Sequence, residues 1–291
     1  MSEDPGAVLI TGCSSGIGHE TASRLVTKGW TVYATARRPE AIADLEEAGC
    51  RTLALDVTDQ DSMAAAVRAV EAEHGAVGAL VNNAGYSQSG ALETLPMERI
   101  RAQFETNVFG LVRMCQLVLP GMRRAGRGRI VNISSMGGKL TFPGGGAYHA
   151  TKHAVEALSD ALRWEVSGFG IRVVIVEPGL ITTRFGETAA GSIAETGSTQ
   201  AGEEADADDP YATFNAAVGS ATAEIYEGPM AKLGGGPDTV AKVIERAISS
   251  GNPRPRYKVT ASARLALAQR SLMPDRAWDA MLRSQFPTPG R

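Results

Sequence analysis

The chain has 291 residues, 43% hydrophobic and 21% charged, with a formal net charge of −3; this length suits one α/β domain with a large core and an ordinary soluble composition. So small a net charge gives no ground for a nucleic-acid partner, and no apolar run approaches the ~18 residues of an integral membrane segment. Three widely spaced cysteines, Cys13, Cys50 and Cys115, suggest neither a disulfide framework nor a zinc site, and the first residues lack the basic and apolar parts of a signal peptide, so a cytoplasmic protein without metal is expected.

In chain order, the apolar run 7–10 is followed at once by Thr11-Gly12-Cys13-Ser14-Ser15-Gly16-Ile17-Gly18 and then by helix-forming sequence up to Lys28-Gly29. This reads as strand, glycine turn, helix. Glycines permit a sharp turn and close approach to a pyrophosphate, and the N–H groups of a helix start attract its charge. The spacing is G-x3-G-x-G rather than the G-x-G-x-x-G of most dinucleotide folds, and a plain turn is the bland reading. A second strand, 31–35, ends in Ala36-Arg37-Arg38-Pro39. A free ribose 2′-hydroxyl calls for a carboxylate at this point and a 2′-phosphate for an arginine, so Arg37 and Arg38 point to phosphate, against the alternative of two solvated arginines ahead of a helix.

The third strand, 52–55, runs into Asp56-Val57 and a helix over about 59–73; Asp56 is either on the ligand edge of the sheet or a helix-capping acid. Strand four, 79–81, leads into Asn82-Asn83-Ala84-Gly85, where small residues permit close approach and amides can tie strands together. After Pro96 a long helical pattern runs towards Arg124 and carries Asn107, an unfavourable residue there unless it kinks the helix or holds a water. Strand five, 129–133, delivers Ser134 and Ser135 to the same edge.

Tyr148 and Lys152 follow, four apart at the start of a helix whose Ala154, Val155, Leu158 and Leu162 keep one apolar face. A phenol has a pKa of about 10 and is a poor base at neutrality, but a neighbouring ammonium favours the phenolate. Ser135 adds a hydroxyl able to hold a carbonyl or alcohol oxygen against that phenol. Tyr-x-x-x-Lys alone is common by chance; the Ser-x12-Tyr-x3-Lys spacing and the glycine turn give it weight. Strand six, 171–176, ends in Glu177-Pro178-Gly179, followed by Ile181, Thr182 and Thr183. Alternation of strands and helices implies a parallel, doubly wound sheet with ligands at the carboxyl ends of the strands.

From Glu187 to Asp209 there are seven acids and no basic residue among Gly, Ser, Ala and Thr, the composition of a loop. Phe185, Tyr211, Phe214, Tyr226 and Met230 flank or follow it and either line a substrate pocket or pack a short helix. A segment over about 184–236 is therefore expected to act as a lid. A helix over 238–249 and a short strand near Tyr257 complete the sheet. Residues 251–291 carry eight Lys/Arg against Asp275 and Asp279, with apolar residues at helical spacing, and the basic extension from about 261 reads as a membrane- or partner-facing surface or as a solvated face over the core. There are no repeats and no sign of a second domain.

Taken together, Thr11-Gly-x3-Gly-x-Gly18, Asn82-Asn-Ala-Gly85, Asn107, Ser135, Tyr148-x3-Lys152 and Pro178-Gly179 resemble the signature set of the short-chain dehydrogenase/reductase family over about residues 5–260. The glycine turn, Tyr33-Ala-Thr-Ala-Arg-Arg-Pro and the long segment after Gly179 are most similar to its 17β-hydroxysteroid and retinol dehydrogenase-like members. The resemblance implies one Rossmann-type domain, 5–291, with about seven parallel strands between two helical layers. It implies Tyr148 as general acid/base, Lys152 on the nicotinamide ribose, Ser135 on the substrate oxygen and Asn107 on a water in a proton relay. Cofactor contacts are implied for Thr11, Gly12, Ser14, Ser15, Gly16, Ile17, Gly18, Arg37, Arg38, Asp56, Val57, Asn83, Ala84, Gly85, Pro178, Gly179, Ile181 and Thr183, besides Tyr148 and Lys152.

The expected activity is interconversion of a ketone or aldehyde and an alcohol on a small apolar substrate with NADP rather than NAD, by a homodimer or homotetramer. Ser15 stands where some NADP-dependent relatives carry a second basic residue. Two other readings share parts of the pattern: a nucleotide-sugar epimerase or dehydratase, and an NADP-binding regulator without turnover. The different glycine spacing and the small carboxyl-terminal region argue against the first, and the intact Ser, Tyr, Lys and Asn set against the second.

Overall fold

A computed structural model of the chain describes residues 6–183, 210–227 and 232–289. Seven short, largely buried runs lie side by side as β1 (Val8–Ile10), β2 (Val32–Ala36), β3 (Arg51–Ala54), β4 (Ala79–Asn82), β5 (Gly128–Ile133), β6 (Ile171–Pro178) and β7 (Arg256–Val259). Their order is β3-β2-β1-β4-β5-β6-β7 and every neighbouring pair is parallel. Parallel strands cannot be joined by tight hairpins, so a helix crosses over between most of them and both faces of the sheet are covered. The expected sheet is thus the observed one, with strand ends within about two residues of the sequence reading.

Side-chain alternation along the strands divides the core. Val8, Ile10, Ala34, Val81, Val131 and Val174 pack with Leu25 of α1 (Gly16–Thr27), Leu45 of α2 (Ala43–Glu47) and Ile244 of a later helix. Leu9, Tyr33, Leu80, Ile130 and Val173 face the other way, onto Val70 of α3 (Gln60–His74) and two longer helices. The chain order reverses between β1 and β4, and the crevice at that switch point is where such a sheet takes a ligand.

The helical pattern after Pro96 is interrupted. α4 (Met97–Phe104) passes into a π-helical turn, Glu105–Phe109, before α5 (Gly110–Ala125). Asn107 sits in that turn, and its amide is spent on the loop after β4: Nδ2 donates to Tyr86 O at 2.9 Å and to Thr151 Oγ1 at 3.1 Å, while Oδ1 accepts from Tyr86 N at 3.1 Å. Asn107 thus lies in a local distortion of the helix, as one of its two sequence readings has it. α6 (Gly146–Glu165) then carries Tyr148 and Lys152, and packs Val155 into the core.

Downstream lie α7 (Ala212–Glu227), α8 (Pro237–Ser249), α9 (Ala261–Leu272) and α10 (Asp275–Gln285). The acidic stretch 187–209, with Phe185 and Met230, lies outside the described residues, so the greater part of the expected lid does too. The basic extension is two helices. Its Trp278 is buried against Leu140 and Leu267, which fastens α10 to the loop after β5. All three cysteines are buried free thiols; burial raises Cys13 and Cys115 to about 12 and Cys50 to about 11. Among the described residues, no helix is long and apolar enough to cross a membrane, and no group of three or more His, Cys, Asp or Glu is placed to hold a metal ion.

Candidate active site

The carboxyl ends of β1 and β4 are locked together before any ligand arrives. Thr11 Oγ1 accepts from the backbone N–H groups of Asn83 and Ala84, both at 3.0 Å. Asn83 Nδ2 in turn donates to Thr11 O at 3.0 Å and Gly12 O at 2.9 Å. Gly12 and Gly16 have φ of 72° and 61°, a region that favours glycine. At Gly18 a Cβ would overlap Gly12 O and lie 2.5 Å from Asn83 Nδ2, so the third glycine is required for contact within the protein. α1 begins at Gly16 with no side-chain cap and no acid in its first turn, which leaves its first N–H groups for a phosphate.

A cavity of about 690 Å³ runs along this end of the sheet. Ser14, Ser15, Gly16 and Ile17 line it with Gly12, Arg37, Asp56, Val57, Asn83, Ala84, Gly85, Pro178, Gly179, Ile181 and Thr183. Asp56 does not cap α3; that is Asp59, whose carboxylate accepts from Asp61 N and Ser62 N. Asp56 Oδ1 instead holds Thr58, accepting from its N at 2.9 Å and its Oγ1 at 2.8 Å. Thr11, Gly18 and Arg38 are not on the cavity wall. The first two act behind it as described, and Arg38, though exposed, stands at the start of the turn Pro39–Ile42, one residue beyond Arg37 and off the wall.

Ser135, Tyr148 and Lys152 line the same cavity. Lys152 is nearly buried; its Nζ donates to Ile133 O at 2.9 Å and lies 5.8 Å from the centre of the Tyr148 ring. Burial lowers its pKa to about 8, with the Glu156 carboxylate one turn along pulling the other way. Ser135 Oγ accepts from Gly137 N at 3.1 Å, which aims the hydroxyl while leaving its hydrogen able to donate. Asn107 is buried behind the wall rather than on it. A Cβ on Gly85 would meet Asn107 Oδ1 at 3.0 Å and Lys152 Nζ at 3.8 Å, so the two side chains approach the cavity from behind the same glycine.

Several lining residues carry no sequence signal of their own. His149 is wedged between Gly137 and Gly145, where added Cβ atoms would strike its ring. Burial lowers its pKa to about 4, so it is neutral at neutral pH, and Nδ1–H donates to Gly137 O at 3.1 Å. Phe142, Val218, Ala221 and Phe286 complete the apolar end of the cavity. The neighbouring glycines 137 and 144–146 are the one hint of His149 in the sequence; the other four come from packing.

Behind Lys152 lies a knot of buried charge. Glu156 Oε2 is 3.1 Å from both Lys139 Nζ and Arg256 Nε, and Arg256 also pairs with Asp160 and lies 3.4 Å from Glu177. Neither oxygen of Glu177 accepts a hydrogen bond, although the residue is fully buried. Burial, and then the charge of Glu156, push its pKa above the usual carboxylate range.

A phenol, an ammonium and a hydroxyl converging beside a glycine-lined phosphate cradle can move a proton at an oxygen while a bound dinucleotide exchanges hydride with the attached carbon. The short chain dehydrogenase family model matches residues 6–192. The chain is 46% identical over 182 residues to a 3-ketodihydrosphingosine reductase of Bacteroides thetaiotaomicron, covering 62% of this chain and 66% of that one. It is 34% identical over 280 residues to an NADPH-dependent 3-dehydrocapnine reductase of Ornithobacterium rhinotracheale, covering 93% and 94%. The crystal structure of a short-chain dehydrogenase from Streptomyces avermitilis superposes with a TM-score of 0.76 at 35% identity over 96% of each chain.

Proposed function

The chain belongs to the short-chain dehydrogenase family of NAD(P)-dependent oxidoreductases, and from that premise we propose that it reduces a ketone on an apolar substrate with NADPH, and runs the reverse oxidation of the secondary alcohol. The observation that carries this reading is that Ser135, Tyr148 and Lys152 open onto the same cavity as the Gly12–Ile17 turn. The names of two similar proteins, a 3-ketodihydrosphingosine reductase and an NADPH-dependent 3-dehydrocapnine reductase, agree with the reductive direction.

In this reading Ser135 donates a hydrogen bond to the carbonyl oxygen and holds it against Tyr148. When bound, the cofactor supplies hydride to the carbonyl carbon. Tyr148 gives its phenolic proton to the oxygen, and the Lys152 ammonium stabilises the phenolate left behind. Lys152 would also hold the nicotinamide ribose and Thr183 its carboxamide, and Asn107 would hold a water that returns a proton from solvent. Ser14, Ser15 and the start of α1 would hold the pyrophosphate, and Arg37 would offer the 2′-phosphate a planar fork of donors. The apolar wall of Phe142, Val218, Ala221 and Phe286 favours an uncharged substrate face.

An oligomer belongs to the same proposal. Phe109, Leu158 and Trp164, on the elements that carry Asn107 and Tyr148, are large and 54%, 41% and 78% exposed, apolar surface that a second copy of the chain would cover. The activity is tested by following NADPH oxidation over ketones and aldehydes, with NADH in parallel. Turnover of an apolar ketone is expected; NADPH binding without reduction of any carbonyl would leave a non-catalytic binder as the better account.

A further inference from the structure

Beyond the catalytic cavity lies a second one of about 580 Å³, and the two share Phe142 and Pro143 as wall. α7 runs past both. Tyr211, just ahead of the helix, and Phe214 line the second cavity, while Val218 and Ala221 line the first. Spacings of three, four and three place these residues on one face, a stripe about 15 Å long at 1.5 Å per residue. α10 repeats the arrangement: Trp278 and Leu282 line the second cavity and Phe286 the first, each four residues from the last. Two helical faces therefore run along both cavities, each from the far one to the near one.

We propose that the two cavities are one elongated binding site, in which a substrate carbonyl at Tyr148 carries an extended, uncharged apolar chain past Phe142 to an end among Phe214, Trp278 and Leu282. This rests on the ketone-reductase reading of the first cavity and adds to it the shape of the substrate. The charges at the far wall, Lys139, Arg270 and Asp279, favour a neutral chain end over an anionic headgroup: one is itself an anion and both cations are engaged. Lys139 is paired with Glu156 at 3.1 Å. Arg270 is paired with Asp275 at 2.7 Å, donates to Met273 O at 3.2 Å, and lies over the Trp278 ring at 5.5 Å. The family match ends at residue 192, so α7 and α10 lie outside it.

The test is a series of linear 2-alkanones from 2-butanone to 2-undecanone, assayed with NADPH and, separately, titrated into the protein by calorimetry. Each methylene taken into the site is expected to raise kcat/KM about fourfold until the site is full. Gly146 lines the second cavity and a Cβ there meets nothing within 4 Å, so Gly146→Trp has room to plug it. The ratio of kcat/KM for 2-undecanone to that for 2-butanone should fall at least tenfold in this variant. Trp278→Ala, which widens the same cavity, should move the best chain length upwards. A flat profile in the wild type, or an unchanged ratio after plugging, overturns the proposal while leaving ketone reduction standing. If no ketone is reduced, the reductase reading fails and calorimetry decides the site: 2-undecanone bound by wild type and at least tenfold more weakly by Gly146→Trp supports it, and equal binding or none refutes it.

Discussion

At the end of the cavity next to α1, backbone meets backbone: Gly12 passes Ala84 so closely that a Cβ would lie 2.9 Å from its Cα, and Gly18 leaves no room for one at all. At the opposite end the walls are side chains, Phe142, Val218 and Phe286, contributed by segments distant in sequence. A phosphate-binding end needs N–H groups at fixed positions, which only a defined backbone path supplies. An apolar end needs volume and shape, which many side-chain combinations provide. The first should therefore be intolerant of single changes, the second graded in its response, and Tyr148 and Lys152 on α6 stand between the two.

The largest effect tests that junction. Tyr148→Phe removes the proton donor and leaves the ring, so kcat should fall by about 10²–10⁴-fold with cofactor binding nearly intact. Stopped-flow or steady-state turnover together with NADPH titration measures both. Retention of more than about a tenth of wild-type kcat, outside that range, would move the acid role to another group.

Next in size is the choice of cofactor at the phosphate end. Arg37→Ala should cost NADP(H) about 10- to 150-fold in kcat/KM, the worth of a charge-assisted hydrogen bond of roughly 1.5–3 kcal/mol, and leave NAD(H) little changed. Arg38→Ala should do far less, because Arg38 is off the cavity wall. Equal losses in the two variants, or a wild type that prefers NAD(H), would break the assignment.

A pair of glycine changes sharpens the contrast directly. Gly18→Ala forces a methyl against Gly12 O and Asn83 Nδ2 and should destabilise the fold by about 1–3 kcal/mol through overpacking. Gly146→Ala, at the start of α6 and facing open space, should lie within about 1 kcal/mol of wild type or be more stable. Denaturant midpoints measure both, and equal costs would remove the distinction between a glycine packed on backbone and one facing open space.

This division also explains what the sequence makes legible. Buried parallel strands read as short apolar runs, so the strands 8–10, 79–82 and 128–133 stand out, and Gly12, Gly16, Asn83, Tyr148 and Lys152 lie in motifs whose spacing is dictated by local geometry. Val218, Ala221 and Phe286 meet the site from helices up to about 140 residues beyond Tyr148, and no local period ties them to it. Asn107 shows how far a single residue goes: its type signals a disturbed helix, but the π turn and the grip on Tyr86 are tertiary facts. The basic tail reads as amphipathic, and its inward residues Trp278 and Leu282 line the second cavity, but which surface they would cover is not written in its spacing.

The smallest expected effect concerns Glu177, which belongs to neither end. It closes β6 and is fully buried beside Glu156, with Arg256, Lys139 and Lys258 as the cations that offset the two carboxylates. Its folded pKa lies above the unfolded value, so between the two the native state holds the extra proton. Stability contributed by that proton is present at low pH and is lost as pH rises from the ordinary carboxylate value through the folded one. Glu177→Gln holds no titrating proton and removes this slope, while Arg256 keeps Glu156 and Asp160 as partners. The variant should therefore gain on wild type as pH rises from acid to neutral, by about 1 kcal/mol, the usual size of a single substitution. Paired urea titrations at acid and neutral pH read the difference directly. A gap of the same size at both would mean that folding leaves the Glu177 pKa unchanged, and a gap moving the opposite way would mean that Arg256 holds the carboxylate ionised.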